Sequence, residues 1–488
     1  MNAKTDRLSR SLGTRDAVFI GLGSMIGAGI FAALAPAAAA AQAGLLFGLA
    51  IAACVAFFNA SSSAQLARLY PASGGTYVYA KERLSDFWAR AAGWAFIVGK
   101  LASCAAVALT FGYYLFPAYA RFLAAGAVIA FMALNSFGIK KTASVTKVIV
   151  SIVVLSLVAI VALILQGHPN LANLQPLSGS SGLYGILQSA GIWFFAFAGY
   201  SRIATLGEEV RNPETAIPRA ILLGLTLTFL IYAAVVVSTL LVVGPATLAQ
   251  TNAPLVTAVH EAGFAQWQWL VTLGAVFATL GVLLTLMTGV SRTLFAMAAD
   301  HTMPSYLARV HPTYKVPYLA EVTVGLILVG VVLFVDVRSA IGFSAFTVLL
   351  YYAITNASAY TLKPDERLFG RKLATLGLLS CLVLAFTLPL ASVIVGSLVM
   401  LLGFAVYGFT DEREAHKHSA PVRPDHQVTA YAAQIHAQKA VLIYRLSQLQ
   451  PLQLRIGDSS VQSLMFDVSR KGLRGALFRV SCKFKLSL

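Results

Sequence analysis

Long apolar runs alternate along this chain with short polar, glycine-rich or charged breaks, and the length of the runs decides what they are. Three blocks, Ala17 to Ala67, Ala220 to His260 and Leu373 to Thr410, hold no Asp, Glu, Lys or Arg. A helix rises about 1.5 Å per residue, so about twenty apolar residues cross a hydrocarbon core about 30 Å thick. Each block is long enough for two crossings. Apolar runs bounded by turn residues and charges predict twelve helices, at 17–41, 44–67, 87–116, 120–138, 144–166, 184–208, 219–243, 266–299, 319–335, 338–361, 373–390 and 391–409. The expected fold class is an all-α polytopic membrane protein.

Composition agrees. Of 488 residues, 58% are hydrophobic and only 11% charged, with a mean hydropathy of +0.76, a balance that a water-soluble globule of this length does not show. Lys4, Arg7, Arg10 and Arg15 precede the first apolar run, which is far too long for the core of a cleaved signal, so the first helix is expected to stay in the membrane. Cys54, Cys104, Cys381 and Cys482 are scattered without metal-ligand spacing, so no disulfide framework, zinc site or other cofactor is expected.

The net charge of +17 would suit a nucleic-acid binder, but its distribution follows topology. With the amino terminus (1–16) on the cytoplasmic side, twenty Lys and Arg residues between Lys4 and Lys372 fall in that segment and the even-numbered loops, and only Arg121 and Arg338 in the opposite loops. Positive loops are retained in the cytoplasm, so both termini are expected there, in a plasma membrane. Residues 411–488 carry twelve basic residues and Pro421 and Pro424, with no run long enough to span, and read as a disordered cytoplasmic tail.

Two spans look unable to stay regular. In the first, Gly21-Leu-Gly-Ser-Met-Ile-Gly-Ala-Gly-Ile-Phe31 places four glycines in one apolar segment, with Pro36 soon after; each costs about 1 kcal/mol relative to alanine in a helix interior. One reading is close packing through small residues. The other is a helix interrupted at mid-membrane, its bare N–H groups facing a cavity, since unpaired backbone is not tolerated in lipid. In the sixth span, Gly191-Ile-Trp-Phe-Phe-Ala-Phe-Ala-Gly-Tyr-Ser201 offers a matching irregularity whose carbonyls near Phe195 to Ala198 can accept from an ammonium group. A positive and a negative backbone patch suit a zwitterion such as an amino acid. Their spacing fits an inverted five-plus-five repeat over about 17–166 and 184–361, with additional helices at 373–409.

Four motifs, Gly27-Ala-Gly-Ile-Phe31, Phe194-Phe-Ala-Phe-Ala-Gly199, Glu208-Glu-Val-Arg-Asn-Pro213 with Ile217-Pro218, and Ser291-Arg-Thr-Leu-Phe-Ala-Met297, occur in order over roughly residues 10 to 410. Together they resemble the amino acid–polyamine–organocation superfamily of permeases. The resemblance implies the leucine-transporter fold over 17–410 and secondary transport by alternating access, as proton symport or substrate exchange. It implies that the substrate carboxylate meets backbone amides at Met25, Ile26, Ala28 and Gly29 around Gly27. The ammonium would meet carbonyls of Phe195, Ala196 and Ala198 beside Gly199, with Phe197 as an aromatic gate. Two departures stand out: Ala28 replaces the Ser or Thr frequent in relatives, and the helix-five lysine of proton-coupled relatives falls near Val153, the nearest lysine being Lys147.

Charges within spans are costly and usually functional, which singles out Lys100 in helix three and Arg202 beyond Gly199 as coupling or gating residues, with Glu208 and Glu209 at the cytoplasmic mouth. A structural cation and a snorkelling arginine are the bland alternatives. No histidine and no mid-span carboxylate is available for hydrolysis or metal transport. Polyamines and other organic cations are the runner-up substrates, and neutral amino acids fit better, because a buried cation would lack a charged partner. A channel also needs polar backbone at depth, and saturable counterflow separates the two.

Overall fold

The computed structural model describes residues 12–70, 74–137, 143–175, 182–204, 210–300, 302–314 and 316–418. The chain divides into a unit Met1–Gly408 and a unit Phe409–Leu488; apart from the end of the last helix, the described residues lie in the first. They are helical, with one isolated parallel bridge between Leu12 and Val210.

The first apolar run folds as three pieces, α1 (Thr14–Met25), α2 (Ala28–Ala32) and α3 (Leu34–Ala41), followed by α4 (Leu45–Leu69) and a short α5 (Thr76–Arg83). Then come α6 (Asp86–Leu115), α7 (Ala120–Ser136) and α8 (Ala143–Leu165). The sixth run is divided into α9 (Gly182–Phe197), a 3-10 turn over Ala198–Tyr200 and α10 (Ser201–Ala204). Next is α11 (Pro213–Val243), which ends at Gly244 with φ +75°, a conformation only glycine adopts at low cost. Two short helices, α12 (Pro245–Leu248) and α13 (Pro254–Glu261), lead to α14 (Gln268–Ala299) and α15 (Tyr318–Phe334). Finally come α16 (Val337–Tyr360), α17 (Arg371–Thr387) and α18 (Leu390–His418). Asp336 caps α16, its carboxylate accepting from the N–H groups of Arg338 (2.9 Å) and Ser339 (3.0 Å), a contact typically worth about 1 kcal/mol.

Among the described residues nine helical stretches are long and apolar enough to cross a membrane; α17 with the 390–405 part of α18, bent by 114° at the intervening break, makes a tenth if counted as one. The seventeen-residue α15 is apolar but short. The sequence expectation of twelve differs because α15 and α17 sit at the lower limit of length for a single crossing, about 17 residues. The last helix also runs beyond the expected 409 to His418, since Asp411 to His418 contains neither glycine nor proline to stop it. The rest of the expected tail lies outside the described residues.

Polar contacts sort the loops into the two sets that the charge pattern predicts. At one end, Lys147 pairs with Asp16 (2.5 Å), Lys81 with Asp300 (3.4 Å) and Arg83 with Glu366 (2.7 Å). The Arg83 guanidinium and the Lys363 N–H hold the Glu366 carboxyl below the usual carboxylate range. At the other end, the Arg121 guanidinium donates to the Leu333 carbonyl (2.6 Å) and that of Arg338 to the Ala249 carbonyl (2.5 Å).

The most enclosed helix is α6, followed by α16, and small residues let them approach each other closely. A Cβ on Gly99 of α6 would stand 2.4 Å from Thr347 Oγ1 of α16, and the hydroxyls of Ser103 and Ser344 are 2.6 Å apart. Lipid offers helices no hydrophobic reason to associate, so backbone proximity and interhelical hydrogen bonds carry the packing. Large apolar residues such as Phe122, Leu155 and Leu401 are left on the outer surface, as a hydrocarbon solvent permits.

Candidate functional site

Both readings of the first-span glycines hold at once. The helix stops at Met25, passes through Ile26 (φ −74°, ψ 10°) and Gly27 (φ −68°, ψ −117°), and restarts at Ala28. Restarting exposes the amide N–H groups of the new first turn, which have no carbonyl one turn behind them. The glycines also make room for close neighbours: a Cβ on Gly27 would lie 1.9 Å from Val282, and one on Gly21 2.3 Å from Ile203, so either side chain would have to shift.

The sixth-span break sits directly against the first. A Cβ on Gly199 would fall 2.2 Å from the Ser24 carbonyl oxygen and 2.8 Å from the Met25 nitrogen, and one on Gly29 2.5 Å from Ala196 Cβ. Tyr232 of α11 fastens the pair. Its hydroxyl donates to the Met25 carbonyl and lies 3.3 Å from the Ala196 carbonyl. Tyr352 of α16 donates to the Ala198 carbonyl at 3.2 Å, and so does Ser201 at 3.1 Å.

These breaks stand at the wall of a cavity of about 240 Å³. Of the residues anticipated from sequence, Met25, Gly29, Phe195, Ala196 and Gly199 line it, together with Lys100 and Arg202. Ile26, Gly27 and Ala198 are at the breaks but not in the lining. Ala28 begins α2. Phe197, expected as a gate, is fully buried away from the cavity, its ring 5.4 Å from that of Tyr232, and Phe195 takes the lining position instead. Successive helical residues turn by about 100°, so positions 195 and 197 cannot both face one cavity. Glu208 and Glu209 lie outside the described residues.

The helix-five position is apolar: Val153 is buried, and its neighbour Val150 packs where a Cβ on Gly23 would be 2.8 Å away. Lys147 is tied to Asp16 at the start of α1, well away from the break. Several lining residues escaped the sequence reading, among them Thr285, Arg292 and Tyr351. The signal for Arg292 was present in the Ser291-Arg-Thr motif. Arg292 faces the cavity, while the preceding Ser291 hydroxyl donates to Glu321 of α15 at 2.6 Å. Glu321 is buried and also accepts from Asn135 at 3.3 Å. Tyr232 was readable only as a polar group inside a charge-free block.

A polytopic helical protein with two adjoining helix breaks at the wall of one cavity has the architecture of a membrane carrier. The amino acid permease family profile matches residues 16–444, and the chain belongs to that family. It is 54% identical to an uncharacterized transporter of Mycobacterium tuberculosis, over 83% of this chain and 92% of that one. It is 29% identical to a branched-chain amino acid permease of Bacillus subtilis, over 64% of this chain and 72% of the permease. Likewise it is 27% identical to cationic amino acid transporter 4 of Mus musculus, over 73% of this chain and 60% of the transporter.

Proposed function

We propose that this permease is a secondary transporter that moves amino acids without net positive charge, neutral ones included, by alternating access through a twelve-helix, five-plus-five inverted-repeat fold. The substrate carboxylate is held by the backbone amides at the restart, Ala28 and Gly29, since the Ile26 amide already donates to the Leu22 carbonyl, and the ammonium by carbonyls of Phe195, Ala196 and Ala198. The observation that carries this reading is that both breaks touch each other and share one cavity, through Met25, Gly29, Ala196 and Gly199. A carbonyl has two lone pairs, so the Tyr232 hydroxyl leaves the Ala196 carbonyl one for an ammonium, whereas the Ala198 carbonyl accepts from both Tyr352 and Ser201 and takes an ammonium when one of them yields.

Similarity to both a branched-chain and a cationic amino acid transporter leaves two substrate classes to weigh. The cavity favours the first over the second. Lys100, Arg202 and Arg292 line it, and no Asp or Glu does among the described residues, so a cationic side chain would meet like charge in a low-dielectric setting. Valine at position 153, with Lys147 engaged by Asp16, supports substrate exchange over proton symport through α8. Counterflow into proteoliposomes, run over the twenty amino acids with and without an imposed pH gradient, is expected to be saturable, selective against Lys and Arg, and insensitive to the gradient. Linear, unselective flux would identify a channel and end the carrier reading.

The cavity and the Gly74–Gly75 turn lie at the end of the bundle where the charge-rich loops meet. With that end in the cytoplasm, the conformation is open inward and both termini are internal. Fusion of a periplasm-dependent phosphatase after Thr410 is expected to give no activity, and the same reporter in the loop holding Arg338 full activity. The reverse pattern would invert the topology.

A further inference from the structure

Lys100 lies halfway along the thirty-residue α6, which places it near the middle of the bilayer. It is 7% exposed, and the little surface it keeps belongs to the cavity wall. Among the described residues it has neither a hydrogen bond nor an ion pair. The Ser103 hydroxyl one turn on, which donates to the Gly99 carbonyl and pairs with Ser344, brings no counter-charge. An ammonium group buried at this depth without a counter-charge is strongly disfavoured unless something that enters the cavity supplies one.

Nearer the mouth the same wall presents Arg202 and Arg292. Behind the lining near Arg292, the Glu321 carboxylate is held by Ser291 and Asn135. Arg202 has contacts of its own. Both line the approach, a positive path that concentrates anions. Of the three, Lys100 alone is buried, and among the described residues no carboxylate pairs with it.

We propose that Lys100 binds the side-chain carboxylate of an acidic amino acid, so that the transported substrate is a dicarboxylic amino acid of the aspartate or glutamate type. This rests on the reading above, in which the backbone at the first break takes the α-carboxylate and that of the sixth span takes the ammonium. A neutral amino acid brings one carboxylate, which the first break satisfies, and leaves Lys100 unmatched. An acidic one brings a second, and Lys100 stands on another wall of the same cavity to receive it.

The test is counterflow of labelled L-glutamate and L-aspartate by the full-length protein in proteoliposomes, with L-leucine, L-arginine and glutarate as competitors, for the parent and for Lys100→Met and Lys100→Arg. Saturable uptake of an acidic amino acid is expected. Lys100→Met should raise its KM at least tenfold with little change in the unliganded melting temperature, and Lys100→Arg should recover much of the loss. Transport of neutral amino acids alone, or a Lys100→Met variant with a parental KM for glutamate, overturns this inference while leaving the permease reading intact. Transport of no amino acid at all sinks that reading instead. Glutarate competing as well as glutamate keeps Lys100 as an anion site but removes the ammonium contact at the sixth span. Should Lys100→Met fail to fold, the substrate screen and Lys100→Arg still decide.

Discussion

Replacing Gly199 with alanine is expected to lower the initial rate of counterflow at least tenfold. The added methyl would start 2.2 Å from the Ser24 carbonyl oxygen and 2.4 Å from its carbon, and backbone, unlike the tip of a flexible side chain, has no rotamer by which to step aside. Overpacking of this kind typically costs about 1–3 kcal/mol. Here the relief is to part the two broken helices where they touch. The same substitution at Gly126, whose Cβ would meet nothing within 4 Å, should leave the rate within twofold. If Gly199→Ala purified as a folded protein with an unchanged rate, the apposition of the breaks would not matter to transport.

The second large effect is expected from Tyr232→Phe. This change keeps the ring packing against Phe197 and Trp193 and removes only the hydroxyl that reaches the Met25 and Ala196 carbonyls. A buried acceptor left without its donor costs about 1–3 kcal/mol, and at roughly 2–4 °C per kcal/mol for a large domain the melting temperature should fall by several degrees. Transport should fall about tenfold, because the hydroxyl ties the two breaks at fixed separation. A loss of stability with a parental transport rate would make Tyr232 a packing residue only. Tyr352→Phe, which frees the Ala198 carbonyl of one of two donors, is the milder companion.

What the sequence could reveal tracks which interactions are local. Charge-free runs and alternating basic loops are linear features of the chain, and the contacts Arg83–Glu366 and Arg121–Leu333 fall on the two sides that they imply. The interruptions were legible because glycine at 27 and 199 is visible without coordinates. The partners those glycines make room for, Val282 and Ser24, were not. Tyr232 and Tyr352 lie 207 and 154 residues from the carbonyls they bind at Met25 and Ala198, a separation that only the packed bundle closes. The choice between Phe195 and Phe197 depended on the rotation of α9 about its axis, which an all-apolar helix does not advertise. Nothing in the sequence marks Glu321 as buried, and its burial follows from donors on α14 and α7. Lys100 is visible in the sequence as a charge within a span, and the cavity that it lines is not.

The parallel bridge of Leu12 with Val210 is closed by the Arg211 N–H on the Leu12 carbonyl at 2.8 Å. It lashes the stretch just ahead of the first span to the stretch just after the sixth. Displacement of either stretch is therefore shared by the other, so an attachment at Leu12 is not mechanically independent of the segment that leads into α11.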